Sequence, residues 1–311
     1  MLVERGDHLA ELLSVWESAR SGDGALVLVA GEAGLGKSTL VRALAAELAG
    51  TGRVRQGGAD HVTTPDALAA LHEAVPEIAP LVAAARETGA HDRHALHTAI
   101  RAALGAESTL LILEDLHWAD DATLDAVRHL GRRLDGLPVM IVATYRPDDI
   151  GAAHPLIALL GDAPRWPRTS RIEVPPLTRD GIATLVAHAG VDADADVLLA
   201  RTGGNAFFVT ELLAAGSVGV PSSVADAVLA RYARLPPEAQ DAAAAAAVLG
   251  STASASLVAA VAGRDLAAVD TCVDHGMLVR PTEGDVGFRH ELARQSIEQG
   301  LTALRARQLH R

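Results

Sequence analysis

The chain has 311 residues, 49% hydrophobic but only 3% aromatic, and a formal net charge of −12. Such a length suits about two or three domains, and so few aromatic residues leave the core to Ala, Val and Leu. The acidic balance argues against non-specific binding to nucleic acid or to an anionic membrane as the main activity, leaving room for a local basic patch. Cys272 is the sole cysteine. It rules out an intrachain disulfide and a cysteine-based zinc cluster, and fits a reducing cytoplasm. Glu4, Asp7 and Glu11 stand where a signal peptide would need an apolar segment. No apolar run reaches the ~18 residues that a membrane span needs.

Along the chain, Asp7–Arg20 carries Leu9, Leu12, Leu13 and Trp16 at helical spacing. ALVLVA, Ala25–Ala30, reads as a strand buried on both faces. Lys37–Ala49 reads as a helix and Arg53–Gly57 as a second strand. Pro65–Leu104 is helical and polar-rich, with breaks near Pro76 and Pro80. Thr109–Leu113 is a buried strand, followed by a helix over Asp121–Leu134 capped by Asp120 or Asp121. Pro138–Tyr145 and Arg171–Val174 are the fourth and fifth strands. Strands alternating with helices predict a parallel α/β sheet.

At Val174-Pro175-Pro176-Leu177-Thr178 the pattern changes and helices dominate. They are expected over Arg179–Ala189, Ala193–Ala200, Ala206–Ala215, Ser222–Arg234, Pro237–Leu249, Ala255–Ala262 and Leu266–His275. A second break falls at Gly216–Pro221. Met277–Arg280 and Asp285–Phe288 read as a hairpin, which with the helices suggests a winged-helix domain. The Ala-rich run Asp241–Val248 carries no signal beyond helix in so Ala-rich a chain. The expected division is residues 1–175, 176–216 and 217–311. LTALRARQLHR at the end reads as mid-helix without a cap, as in a fragment of a longer protein.

Gly31-Glu32-Ala33-Gly34-Leu35-Gly36-Lys37-Ser38 matches G-x-x-x-x-G-K-[ST] in full, between a buried strand and a helix. The glycines let backbone N–H groups turn toward phosphate oxygens, and the helix points its positive end at the same anion. The loop, with Thr39 beside it, is therefore the expected binding site for the phosphates of ATP or ADP. Lys37 would reach the β- and γ-phosphates, and Ser38 would place its hydroxyl on Mg²⁺. Lys37 is the only lysine, against 26 arginines. An ammonium is a compact point charge where a guanidinium is a broad fork, so the residue that escapes the bias marks a space only the compact charge fits.

Catalysis needs an acid at the end of a neighbouring strand. Leu110-Leu111-Ile112-Leu113-Glu114-Asp115 supplies two. One carboxylate would hold Mg²⁺ and the other would orient or deprotonate the attacking water. Glu114 is assigned to the metal and Asp115 to the water, with the reverse left open. Arg146, at the end of the strand ending Ala143-Thr144-Tyr145, can reach a γ-phosphate and stabilise charge there.

ERGDHLAELL, GEAGLGKST, LLILEDLHWADDATL, VATYRPDD, GGNAFFVTELL and FRHELARQSI occur in this order. Together they resemble the N-terminal ATPase module of the large ATP-binding regulators of the LuxR family. Those are signal-transduction ATPases with numerous domains (STAND), related to the AAA+ proteins and to the maltose regulator. The resemblance implies a P-loop NTPase parallel sheet followed by an all-helical and a winged-helix domain, clasping ATP or ADP with Mg²⁺. It implies a switch that self-associates in its ATP form and meets DNA only through a C-terminal domain absent from this chain; the longer side chain of Glu114, where the wider class has Asp, points to slow hydrolysis. It also implies that Val3 and Arg5 pack on the adenine, that Arg146 is the first sensor, and that His290 contacts the ADP phosphates. Two departures stand out. Ala206 replaces the proline of the usual GGNP, and Glu114 stands where the wider class prefers Asp.

Two other functional readings are open. One is a nucleotide-gated scaffold without useful turnover; the other is a P-loop small-molecule kinase, which the helical tail fits poorly. His91, His94 and His97 advance by about 300° per step on a helix and fan out rather than converge, so they are read as a solvated face and not a metal site. Trp118 is expected to pack. Arg132 and Arg133 are expected at the surface, with a role as an arginine finger across subunits left open.

Overall fold

The computed structural model describes residues 1–60, 67–88, 93–151, 153–216 and 219–310. Two compact units follow one another, Met1–Val174 and Pro175–Arg311.

The first unit runs α1 (Gly6–Arg20), β1 (Ala25–Ala30), α2 (Lys37–Glu47), β2 (Arg53–Gly58), α3 (Ala69–Ala74), α4 (Ala79–Thr88), α5 (Arg93–Gly105), β3 (Thr109–Glu114), α6 (Asp121–Gly131), β4 (Val139–Tyr145), α7 (Leu156–Asp162) and β5 (Thr169–Glu173). Among the described residues the strands form a five-stranded sheet in the order β2-β3-β4-β1-β5, every pairing parallel. This is an α/β fold of the P-loop NTPase type.

Successive strand residues point to opposite faces. Val27, Val29, Leu110, Ile112, Met140 and Val142 join Leu12 and Trp16 of α1 and Leu40 and Leu44 of α2. Leu26, Leu28, Leu111, Leu113, Ile141 and Ala143 join Leu71, Ile100, Leu104, Val127 and Leu130 on the other side. Both faces are covered, which is why the central strands are continuous apolar runs rather than alternating ones.

The acid-bearing strand is not the neighbour of β1, as the sequence led us to expect. β4 lies between them. Strand composition explains the order. Every residue of β4 is buried, whereas β2 and β5 expose Arg53, Gln56, Arg171 and Glu173; charged strands belong at sheet edges. Parallel pairing brings Ala30, Glu114 and Tyr145 to the carboxyl edge of the sheet, where open α/β sheets place their ligands.

Several boundaries differ from the expectation. α2 stops at Glu47 and α6 at Gly131. A Cβ on Gly131 would lie 2.5 Å from the Trp166 ring, so the helix end is packed closely there. The cap of α6 is Asp120, which accepts from the N–H groups of Ala122 and Thr123. The segment expected to be helical from Pro65 to Leu104 is broken into α3, a 3₁₀ turn at Pro76–Ile78, α4 and α5; residues 61–66 and 89–92 lie outside the described residues. α3 crosses β2 so tightly that a Cβ on Gly57 would be 1.9 Å from the Ala70 carbonyl oxygen.

His91 also lies outside the described residues. His94 is exposed, while His97 stacks on His129, ring centroids 3.7 Å apart and 18° from parallel. Burial, His97 and nearby arginines push the His129 imidazole down to about 4. Among the described residues no three or more of His, Cys, Asp and Glu gather where they could hold a metal ion.

The second unit runs α8 (Arg179–Ala189), α9 (Ala195–Thr202), α10 (Ala206–Ala215), α11 (Ser222–Tyr232), α12 (Pro237–Leu249), β6 (Thr252–Ser254), α13 (Ala255–Ala262), α14 (Leu266–Asp274), β7 (Asp285–Gly287), α15 (Glu291–Gly300) and α16 (Ala303–Leu309). Thr178, Asp194, Asn205, Ser254, Asp265 and Thr302 cap α8, α9, α10, α13, α14 and α16 with side-chain oxygens, each satisfying N–H groups a helix start leaves unpaired. The Ala-rich run proves more than background composition. Ala242–Ala247 are all buried, and α13, α14 and α15 pack around α12. A helix apolar all round is a buried helix, and alanine lets its neighbours come close.

The expected hairpin is reduced to a single bridge between Val279 and Gly287. β7 takes β6 as its main, antiparallel partner instead. Gly287 explains the exchange: a Cβ there would fall 2.3 Å from the Ser251 carbonyl oxygen, so only glycine lets the chain before β6 approach.

Candidate nucleotide site

The loop between β1 and α2 turns twice through left-handed backbone, at Gly34 (φ 81°) and Gly36 (φ 96°), which favours glycine. Gly36 is the N-cap residue of α2. The N–H groups of Lys37, Ser38 and Thr39 in the first turn have no carbonyl one turn back within the helix. Gly31 stands where a Cβ would be 3.1 Å from the Val174 oxygen and 3.6 Å from Cδ of Lys37. The lysine stem passes beside this glycine.

Lys37 is 6% exposed. Its Nζ donates to the carbonyl oxygens of Gly31 at 2.8 Å and Glu32 at 3.0 Å. Burial pushes the ammonium down to about 8; Arg146 adds to the shift, and Asp115, Asp149 and Glu32 oppose it. The loop therefore carries a buried positive charge among inward-turned backbone, a combination that suits phosphate. Arg5, 3% exposed, lies against the same loop and donates to the Leu35 oxygen at 3.3 Å and the Glu4 oxygen at 3.0 Å. Val3, two residues earlier, is half-buried.

Ser38 Oγ donates to one carboxylate oxygen of Glu114. The other oxygen accepts from Gln56 Nε2 at 2.7 Å. A serine hydroxyl and a carboxylate meeting at one point are hard oxygen donors of the kind Mg²⁺ prefers, so these residues fit the expected ion.

Asp115 turns left-handed at φ 55°, a conformation Asp tolerates better than most residues. Its N–H donates to Thr144 Oγ1 of β4 at 2.9 Å. Burial raises the Asp115 carboxyl above its ordinary range, against the pull of Arg146 and Lys37. Arg146 Nη2 lies 3.6 Å from Asp115 Oδ2 and Nη1 3.6 Å from Asp149 Oδ2. Its guanidinium sits 4.9 Å above the centre of the Trp118 ring, and Trp118 packs against the core.

Lys37, Ser38, Glu114, Asp115, Arg146 and Arg5 thus all belong to the first unit, with Lys37, the two acids and Arg146 at the carboxyl edge of its sheet. His290 belongs to the second unit. It is 5% exposed, meets Phe208 edge-on at 5.3 Å and lies so near Gly203 that a Cβ there would be 2.6 Å from its Nδ1. Ala206 opens α10 directly after the capping Asn205. Arg132 is engaged by Asp162 at 2.6 Å, and Arg133 Nη1 lies 3.3 Å from His129 Nδ1.

Sequence reading missed Gln56, Thr144, His117 and Asp149. Gln56 reaches Glu114 only through the β2–β3 register, which no local pattern announces. Asp149 carried a signal, its place three residues after Arg146 in the YRPDD run.

Residues 1–142 match the protein-family profile described as AAA ATPase domain. Over its whole length the chain is 25% identical to an uncharacterized protein, R02095, of Rhizobium meliloti strain 1021, and it spans 36% of that protein. Among solved structures it is similar to a STAND protein with a tetratricopeptide repeat sensor from Pyrococcus horikoshii, at 15% identity and TM-score 0.44. That match covers 98% of this chain and 44% of the other. It is also similar to the ORC1 protein of Aeropyrum pernix, solved in complex with DNA, at 15% identity and TM-score 0.49, covering 96% and 93%. No described helix is long and apolar enough to cross a membrane.

Proposed function

We propose that the first unit is an ATP-binding, slowly hydrolysing switch, and that the chain is the nucleotide module of a signal-responsive transcriptional regulator. The observation that carries the nucleotide reading is the direct contact of Ser38 with Glu114 beside the buried ammonium of Lys37. The AAA ATPase profile over residues 1–142 supports it. The regulatory part rests on the order of motifs from ERGDHLAELL to FRHELARQSI.

In this reading the loop N–H groups and Lys37 bind the phosphates of ATP or ADP. Ser38 and Glu114 would hold Mg²⁺, with Gln56 fixing the carboxylate. When bound, the ion would supply neutralising positive charge beside the phosphates. Asp115 accepts the proton of the attacking water. Arg146 answers charge at the γ-phosphate. Val3 and Arg5 flank the loop as the adenine side of the site. In the second unit, residues 176–216 form a helical domain and 217–311 a winged-helix domain, with β6, β7 and Val279 as its wing. His290 would couple that domain to nucleotide state.

Nucleotide loading of the purified chain tests this reading. We expect ATP and ADP to bind with Mg²⁺, and Lys37→Ala to bind both roughly tenfold to a hundredfold more weakly. Equal absence of binding in parent and variant sinks it. Sedimentation with ATP and with ADP tests self-association in the ATP form.

A second reading, a nucleotide-gated scaffold without turnover, is favoured by the pairing of Asp115 with Arg146, which occupies the carboxylate. Hydrolysis that falls in Asp115→Ala while binding persists counts against it.

A further inference from the structure

Asp115 and Arg146 have tasks in the reading above. Asp149 and His117 do not, yet they complete a closed figure with them. Arg146 bridges Asp115 and Asp149, one Nη to each, at 3.6 Å. His117 bridges the same two acids from the other side, with Nε2 3.5 Å from Asp149 Oδ2 and Nδ1 3.9 Å from Asp115 Oδ1. Going round, the groups alternate acid, base, acid, base.

Backbone geometry supports each corner. Asp115 and His117 flank Leu116 at the start of the 3₁₀ turn Leu116–Trp118, and Asp149 ends the turn Pro147–Asp149 that Arg146 begins. His154 anchors the first turn. Its Nδ1 accepts from the Leu156 N–H at 3.1 Å, so its Nε2 is the nitrogen that donates to the His117 carbonyl oxygen, at 2.9 Å. The His117 side chain is fully buried, while those of Asp149, Arg146 and Asp115 are 22%, 23% and 28% exposed.

Pairs as open as these are weak one by one. Their effect here is directional. A guanidinium held by one carboxylate can swing about that contact. Held at both Nη atoms and laid over the Trp118 ring, it keeps one plane. Without Asp149, the attraction of Arg146 is left to Asp115 alone. The arginine then closes on that acid, and the two lose the mutual orientation that the second carboxylate enforces.

We infer that Asp149 is a positioning residue, which shares Arg146 with Asp115 and steadies His117 so that the acid and the arginine keep the mutual orientation turnover needs. This rests on the reading of the site as an ATPase. Asp149 acts on the loop through its charge near Lys37; removing a negative charge there should not weaken the hold on an anionic phosphate, so its loss should separate turnover from affinity.

The test is Asp149→Asn in the full 311-residue chain, with Asp149→Glu beside it. With ATP and Mg²⁺, kcat is expected to fall roughly tenfold to a hundredfold, the scale of a small misplacement at a reacting centre. Affinity for a fluorescent ATP analogue and Tm should stay close to the parent's, and Asp149→Glu should recover part of the rate. The emission of Trp118, taken as the difference from Trp118→Phe, should shift as the cation over its ring moves. A parental kcat with unaltered Trp118 emission overturns the inference. So does a loss of rate matched by equal loss of affinity and Tm, which marks a structural role. If the parent binds ATP but shows no turnover, the hydrolysis reading fails instead. The hold of Asp149 on Arg146 is then decided by Trp118 emission, and an unchanged spectrum rejects it.

Discussion

Ser38 and Glu114, 76 residues apart in the chain, are in direct contact through hydroxyl and carboxylate. The pair brings the end of β3 to the first turn of α2, although β4 lies between β3 and β1 in the sheet. If it is the Mg²⁺ site, Glu114→Gln should weaken Mg²⁺-dependent ATP binding by on the order of a hundredfold, the upper range for disturbed metal shells. Binding of ADP in EDTA should change far less. Calorimetric titration with and without Mg²⁺ measures both, and equal losses in the two conditions refute the assignment.

Lys37 should not tolerate arginine. Its Nζ is held inside the loop by two carbonyl oxygens, and the stem passes beside Gly31. Lys37→Ala removes a charged hydrogen-bonding partner, worth about 1.5–3 kcal/mol, or roughly tenfold to a hundredfold in Kd. Lys37→Arg keeps the charge but brings a wider group into the same space, and should also weaken binding by about tenfold. Parental affinity in Lys37→Arg would show that charge alone matters.

Gly57→Ala should destabilise the first unit without touching the loop. The new Cβ would meet the Ala70 carbonyl oxygen at 1.9 Å, so α3 must shift off β2. Overpacking of this kind costs about 1–3 kcal/mol, which lowers Tm by roughly 3–10 °C in a unit of this size. A thermal melt reads it, and an unchanged Tm rejects the close approach.

Arg55 and Glu77 supply a pH test. The Arg55 guanidinium, buried and bonded at 2.8 and 2.6 Å, holds the half-exposed Glu77 carboxyl down to about 2. Its unfolded value is about 4.5. Between these values the unfolded chain binds the extra proton, so stability rises with pH there. The contribution is present above about 4.5 and is lost as pH falls toward 2. Tm of the parent minus that of Glu77→Gln should shrink steadily from pH 5 to pH 2. A constant difference excludes the pair as the source.

The parts of the fold legible in the sequence were those with local causes. Continuous apolar runs declared β1, β3 and β4 because a strand buried on both faces has no polar side to alternate. Gly31–Ser38 declared the loop because left-handed turns at Gly34 and Gly36 depend on glycine at fixed spacing. The same runs could not say that β4 separates β1 from β3. Strand order follows from which strands can tolerate an edge, a comparison among distant segments. The hairpin expected at Met277–Phe288 lost most of its pairing to β6 for a similar reason, since Gly287 admits the Ser251 backbone from elsewhere in the chain.

By itself, then, the sequence determined the α/β class, the glycine-bearing loop between β1 and α2 and the identities of Lys37, Ser38, Glu114, Asp115 and Arg146 as candidates, because each rests on short-range geometry and residue chemistry. Only the tertiary structure decided that Glu114 is the acid touching Ser38, that Gln56 braces it, and that Asp149 and His117 close a ring with Asp115 and Arg146. Those relations depend on strand register and on turns that fold back over the sheet edge. Side chains distant in sequence become neighbours there only after the whole sheet has formed.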